Sequence, residues 1–173
     1  LYAFAHTREP TPAARQALQP GGGTAPMPGY APTGDQIAQE RLPLYHRGTP
    51  FVALSGLIQD VGVREAKRVG FTAILDLQAD PARAADERRN AEFARIRYYH
   101  HPIAGALPTE EEVRRFAEIL ADRNNLPVLV HGSAVEHSGT MWALYRASLG
   151  VPPEIAVLDG ETAGLRAGRA AVR

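Results

Sequence analysis

The stretch Pro127-Val128-Leu129-Val130-His131-Gly132-Ser133-Ala134-Val135-Glu136-His137-Ser138-Gly139-Thr140, running on into Met141-Trp142-Ala143-Leu144-Tyr145, decides how the chain is read. An apolar run of strand length gives way to small and polar residues, and an amphipathic helix is expected from Ser138 to a stop at Gly150. A strand that feeds a loop seated on a helix N-terminus gathers backbone N–H groups, and anions bind at such places. Val128, Leu129 and Val130 show no polar alternation, as expected of a strand at the centre of a sheet covered on both faces.

Working outward, Thr109-Glu110-Glu111-Glu112 forms a capping box, and Val113, Phe116, Ala117 and Leu120 behind it share one helical face. Residues 96–101 read as a strand stopped by Pro102, with Tyr98, Tyr99, His100 and His101 alternating across it. Asp80-Pro81 supplies an N-cap with proline at the first helical position, for a helix to about Ala94. On that helix Arg83, Arg88 and Arg89 alternate with Asp86 and Glu87, which reads as a solvated face. Residues 71–77 are a largely apolar strand, and Asp60 is read as the cap of a helix to about Val69, ended by Gly70. Residues 44–47 and 51–55 read as short strands around a Gly48-Thr49-Pro50 turn. Pro152-Pro153 opens a last short helix carrying Ile155, Ala156 and Leu158, with Asp159-Gly160-Glu161 as a turn and residues 166–173 as a basic tail. Strands alternating with helices predict an α/β fold, a mainly parallel central sheet flanked by helices.

Residues 1–43 read differently. Pro10, Pro12, Pro20, Gly21-Gly22-Gly23, Pro26, Pro28, Gly29, Pro32 and Gly34 make an irregular Pro/Gly-rich arm or linker, with one short helical stretch at 13–18. The chain therefore divides into this arm and an α/β domain over 44–173. Such an arm is seldom ordered alone, so it is expected to lie along its own domain or along a protein partner. The opening Leu1-Tyr2-Ala3-Phe4-Ala5 carries Ala3-Phe4-Ala5, the small-x-small form of a signal-peptidase site, and also suits the end of a membrane anchor or an arbitrary boundary. A periplasmic or membrane-tethered location is thus as much expected as a cytoplasmic one.

Composition closes several routes. Nineteen Lys+Arg balance nineteen Asp+Glu among 173 residues, which speaks against a nucleic-acid binder that relies on bulk positive charge. Hydrophobic residues make up 45%, enough for one ordinary globular core. There is no cysteine, which excludes disulfides, thiolate metal sites and any thiol nucleophile. No apolar run approaches the roughly 20 residues of a transmembrane helix.

Residues 71–77, the strand end at 98–102, Pro108-Thr109-Glu110-Glu111 and His131 through Tyr145-Arg146 together resemble the cysteine-dependent tyrosine and dual-specificity phosphatase superfamily. The frame His131, Ser138-Gly139, Trp142-Ala143-Leu144-Tyr145-Arg146 carries most of that resemblance. The nearest branch is the bacterial tyrosine-phosphatase-like group that includes the domain found beside β-lactamase-like hydrolases, and the likeness spans about Leu44 to Leu165. In that superfamily a Cys thiolate attacks phosphorus, loop N–H groups and an Arg hold the phosphoryl oxygens, and an Asp from an earlier loop protonates the leaving group. The resemblance puts the Cys position on Gly132 and the Arg on His137, or on Ser138 if the loop is one residue longer. It puts the central loop glycine on Val135 and the acid loop at 103–107, which holds no carboxylate. Three roles out of three are empty.

Glycine at 132 has no side chain to act as nucleophile. A neutral His137 offers one donor in place of a five-donor cationic fork. At 135 a β-branched residue held at positive φ would cost on the order of 1–3 kcal/mol, so the loop is expected to have changed shape. Glu136 adds negative charge where a phosphate would sit. The sequence therefore predicts a catalytically inactive module, a binding or accessory subunit of a larger assembly, with no cofactor and no nucleic acid.

Two other readings stay open beside it. One is a metal-binding protein or metal-dependent hydrolase using His131, Glu136 and His137, with His100 and His101 nearby, since two histidines and a carboxylate suit zinc or non-haem iron. The other is a phosphatase-family protein whose active-site cysteine is absent from this chain. A serine mechanism through Ser133 or Ser138 and His131 or His137 lacks both a Gly-x-Ser-x-Gly elbow and an orienting acid.

Overall fold

The computed structural model describes residues 35–133 and 135–165. The helix expected at 13–18, the arm up to residue 34, the position Ala134 and the tail at 166–173 lie outside the described residues.

In chain order the elements are α1 (Asp35–Arg41), β1 (His46–Thr49), β2 (Val52–Leu54), α2 (Asp60–Val69), β3 (Ala73–Asp76), α3 (Pro81–Ala94), β4 (Arg97–His100), α4 (Glu110–Ala121), β5 (Val128–His131), α5 (Val135–Ser148) and α6 (Pro153–Thr162). A 3-10 turn, Arg123–Asn125, leads into β5. The sheet order is β1-β2-β5-β3-β4. Only the β1–β2 hairpin is antiparallel; β2–β5, β5–β3 and β3–β4 are parallel. The chain is thus the α/β layer structure with a mainly parallel sheet that the alternating pattern predicts.

The period-two rule of strands decides what each face meets. Leu75, Leu77, Val128 and Val130 pack with Val113, Phe116 and Leu120 of α4 and Met141 and Trp142 of α5. On the other face Ala53, Ile74 and Leu129 pack with Val63, Ala66 and Val69 of α2 and Ala91 of α3. Each fully buried large side chain contributes roughly 1.5–3 kcal/mol of transfer free energy, so the core is spread over both faces of the sheet. Asp76 and His131 continue the Ile74 and Leu129 rows and face α2 and α3.

Capping explains three of the helix boundaries. The Thr109 hydroxyl accepts from the Glu112 amide while the Glu112 carboxylate accepts from the Thr109 amide, completing the capping box. The Asp80 carboxylate accepts from the amides of Ala82 and Arg83 ahead of Pro81, as its sequence position predicts. Gly70 ends α2 with φ 109°, a left-handed conformation glycine adopts without a Cβ penalty. Asp60 departs from its expected role: Gln59 is the N-cap and makes no side-chain cap bond, while Asp60 is the first helical residue. There its charge still favours the helix N-terminus, and Asn90 of α3 reaches its carboxylate at 3.4 Å.

Two further stretches differ from their sequence reading. Residues 35–43, read as the end of the arm, hold α1, and Ala38 and Leu42 are buried in the core on the α2 side. Asp159-Gly160-Glu161 is not a turn but lies inside α6. The reason is packing: Gly160 sits against Gly139 of α5, and Arg146 Nε donates to Asp159 at 2.9 Å. Among the described residues no helix is long and apolar enough to cross a membrane.

Asp35 joins α1 to the hairpin. Its carboxylate accepts from Tyr45 Oη at 2.7 Å and from Arg47 Nε at 2.6 Å. The Arg47 hydrogen bond holds the Asp35 carboxyl below its ordinary pKa of 3.8, against a smaller opposing effect of burial. A depressed carboxyl stabilises the fold above the unfolded pKa and loses that contribution as pH falls through the folded value. Wild type is therefore expected to lose stability below pH 3.8 more steeply than Asp35→Asn, as read from urea midpoints across that range. Because Asp35 is half-exposed, the difference near neutral pH is about 1 kcal/mol or less.

Candidate functional site

His131 ends β5 at the carboxyl edge of the parallel strands, where open α/β sheets place their ligands. Its side chain is fully buried, and among the described residues its Nδ1 makes no hydrogen bond to the loop backbone. Instead its Nε2–H donates to Glu87 Oε1 of α3 at 2.6 Å and lies 3.7 Å from Asp76 Oδ1. Glu87, read as part of a solvated helix face, is buried. It falls on the inward row Ala84, Glu87, Ala91, spaced at i, i+3 and i+7, so the helix period carries it toward the sheet.

The surrounding donors form a closed network. Asp76 accepts from the Gln78 amide N–H at 2.8 Å, from Gln78 Nε2 at 2.6 Å and from Tyr98 Oη. Gln78 Nε2 also reaches Glu87 Oε2 at 3.2 Å. Burial raises the Glu87 carboxyl above the ordinary carboxylate range; the His131 hydrogen bond opposes the rise and the Asp76 charge adds to it. Burial and the Asp76 bond likewise raise the Tyr98 phenol. Arg88, the next residue of α3 after Glu87, lies over the Tyr98 ring at 5.3 Å. Gln78 Oε1 and His131 Nδ1 are buried without a hydrogen-bond partner.

The segment beyond His131 is shorter than expected. Helix α5 begins at Val135 rather than Ser138, so Val135, Glu136 and His137 form its first turn instead of a loop. No glycine at 135 requires positive φ, and the right-handed helical conformation is open to all three residues. Glu136 in that turn complements the helix N-terminus. The Val135 side chain lies outside the described residues.

Gly132 is buried and offers only backbone; Ser133 is exposed. Glu136 and His137 are half-buried, and His137 Nδ1 has no hydrogen-bond partner. Ser138 is buried with its hydroxyl donating to the Ser55 carbonyl at 3.3 Å, which ties α5 to the end of β2. Gly139 is buried where α5 meets α6.

His131, Glu136 and His137 do not emerge as a ligand group. Among the described residues, the ligand-type atoms that converge belong to Asp76, Glu87 and His131. His100 and His101 are engaged elsewhere, at the carbonyls of Gln78 and Glu112, both at 2.8 Å. The Ser–His pairs are not formed either: Ser138 is committed to Ser55, and His131 Nε2 to Glu87. Beyond β4, Ile103 is buried and its N–H donates to the Leu77 carbonyl, which ties the start of the expected acid loop to the end of β3, while residues 104–107 are exposed.

Sequence reasoning missed Asp76, Gln78, Glu87 and Tyr98. Two signals were present. Asp76 sits inside an apolar strand between Leu75 and Leu77, and Glu87 replaces a small residue on the alanine row of α3.

Comparison with known proteins agrees with this architecture. Residues 56–162, more than half of the chain, match the family described as DSP-PTPase phosphatase fused to NAD+ kinase. No curated protein matches. Among solved structures, a DUF442 protein from Shewanella putrefaciens CN-32 is 20% identical, with a TM-score of 0.66 over 79% of this chain and 92% of that one. The core catalytic domain of the PP-IP phosphatase SIW14 from S. cerevisiae is 14% identical, with a TM-score of 0.63 over 76% of this chain and 82% of its own. The nma1982 protein of Neisseria meningitidis Z2491 is 17% identical, with a TM-score of 0.61 over 76% and 95%. At these identities the likeness is one of fold. The matched family and the branch found beside β-lactamase-like hydrolases share the phosphatase superfamily, and that is the level these comparisons support.

Proposed function

Because the chain belongs to the family described as DSP-PTPase phosphatase fused to NAD+ kinase, we propose that it is a phosphatase-fold module without phosphatase activity, serving as a binding or accessory subunit. The observation that carries this reading is Gly132, which follows His131 where the superfamily places its cysteine, in a chain with no cysteine at all. Covalent phosphoryl transfer needs a nucleophile on that atom, and a backbone Cα supplies none.

The surrounding geometry supports the same reading. A helical turn over Val135–His137 replaces the loop that would cradle a phosphoryl group, and no guanidinium takes the Arg position. Residues 103–107 offer no acid for the leaving group. The Pro/Gly-rich arm would engage the protein partner, within an assembly that is membrane-associated if an anchor precedes Leu1.

The test is turnover of an aryl phosphate by the full chain. We expect none above the buffer rate, and none from Gly132→Cys, since a thiolate alone lacks the phosphoryl-holding cation and the general acid. Turnover by wild type that is abolished by His131→Asn or His137→Asn would overturn the reading. For the subunit role, protein isolated from its native source should elute with a partner; a free monomer would count against it.

A further inference from the structure

On the α2/α3 side of the sheet, the ends of β3 and β5 and the middle of α3 bring three metal-ligand side chains to one point. Asp76, Glu87 and His131 each offer one ligand atom, and these atoms lie within 4.8 Å of one another. Two of the separations are 2.6 and 3.7 Å. Donors around a tetrahedral ion with bonds near 2.1 Å are roughly 3.4 Å apart, so shifts of less than about 1 Å would seat an ion among them.

Gln78 turns this cluster into a built site. It is 1% exposed, and its amide end lies between the two carboxylates, 2.6 Å from Asp76 and 3.2 Å from Glu87. Its Oε1 is buried there with no partner. The amide N–H group thus stands where a cation would bridge the two acids, and turning the amide about its last bond exchanges Nε2 for Oε1.

Charge points the same way. Two buried carboxylates face at most one imidazolium, while Gln78 and Tyr98 contribute hydrogen bonds but no charge. A buried excess of negative charge is costly unless a proton or a cation offsets it, and a metal ion would take the place of the proton. A polar cavity of about 300 Å³ reaches the cluster from one side: Gln78 and Glu87 line it with Asp60, Asp86 and Arg83, while Asp76 and His131 lie buried behind them.

We propose that Asp76, Glu87 and His131, with the Gln78 amide oxygen as fourth donor, form a buried site for a divalent transition-metal ion of the zinc type. One nitrogen and three oxygens in four-coordinate reach suit Zn²⁺ better than the larger oxygen cages that hold calcium. Binding requires His131 Nε2 to give up its hydrogen, leaving the ring hydrogen on Nδ1. The inference does not rest on the absence of phosphatase activity, and its donors share only His131 with the His131, Glu136 and His137 set.

The test is Zn²⁺ titration of the full chain, purified without a histidine tag and stripped with EDTA, by calorimetry and thermal melting. The expected result is one saturable equivalent and a rise in Tm of several degrees once Zn²⁺ is about 100-fold above Kd. Glu87→Gln and Asp76→Asn should weaken binding by more than about 100-fold, since each removes a direct ligand where even outer partners are worth 10–100-fold. Glu136→Gln and His137→Asn should bind as wild type does. If circular dichroism shows either isosteric variant unfolded, Gln78→Ala takes its place, with binding weakened by about 10-fold or more. No saturable equivalent in wild type, or binding lost in Glu136→Gln but kept in Glu87→Gln, would overturn the proposal.

Discussion

Gly139→Ala is expected to cost the fold about 3 kcal/mol and to lower Tm by about 10 °C. A Cβ at position 139 would stand 2.4 Å from the Leu165 nitrogen, 2.8 Å from the Gly160 carbonyl oxygen and 3.0 Å from the Gly164 carbonyl carbon. All three are backbone atoms, so no side-chain rotation relieves the contact and α6 has to move away from α5. That movement would loosen Ala143, Ala156, Val157 and Leu165, the small cluster between the two helices, and strain the Arg146–Asp159 pair beside it. Gly150→Ala makes the matched control. Gly150 has φ +85° but nothing within 4 Å of an added Cβ, so its cost is conformational only, about 1–2 kcal/mol. Urea unfolding of both variants gives the comparison, and a Gly139→Ala loss no greater than that of Gly150→Ala would refute close helix packing at 139.

The fold was legible in the sequence because its signals are local. The capping box at Thr109, the Asp80-Pro81 start and the Gly70 stop each depend on residues within one helical turn, and the structure places all three as read. The misreadings arise where a tertiary contact decides. Asp159-Gly160-Glu161 has turn composition, yet Gly160 is small because α5 passes beside it. Glu87 looks solvated beside Arg88, Arg89 and Asp86, yet its position in the helix period faces a buried histidine that is 44 residues away in the chain. At the site, the positions where the resemblance expects a cysteine, an arginine and an acid could be read one residue at a time. The network that occupies the same sheet edge could not, because Asp76, Gln78, Glu87 and His131 come from separate elements and meet only through the strand order β5-β3 and the crossing of α3. The helical turn at Val135 was foreshadowed only as a changed loop: sequence can say that glycine is gone, while the conformation adopted instead depends on how α5 packs.

Glu87→Ala is expected to be the other severe substitution, costing about 3–5 kcal/mol in the presence of a chelator. The Glu87 side chain is 8% exposed and that of His131 fully buried, so water cannot replace the lost acceptor. His131 Nε2–H would keep only Asp76, at 3.7 Å, beyond hydrogen-bond reach. Gln78 Nε2 would also lose one of its two acceptors. Glu87→Gln retains the shape and one acceptor oxygen, so its cost should fall to about 1–2 kcal/mol. Replacing both partners, Glu87→Leu with His131→Leu, removes the charge pair together with the need for it, and should cost less than Glu87→Ala alone if packing is kept. That ordering separates a buried charge pair from simple volume loss. Cavity formation alone would make the alanine variant only modestly worse than glutamine and the double variant no better than Glu87→Ala, as urea midpoints for wild type and the three variants would register. Because α3 carries Glu87 while β5 carries His131, the same pair fixes the helix against the sheet edge where the family keeps its chemistry. His131 is thus under a strong structural requirement whatever the loop beyond it does, and that requirement is set from the side of the sheet opposite α5.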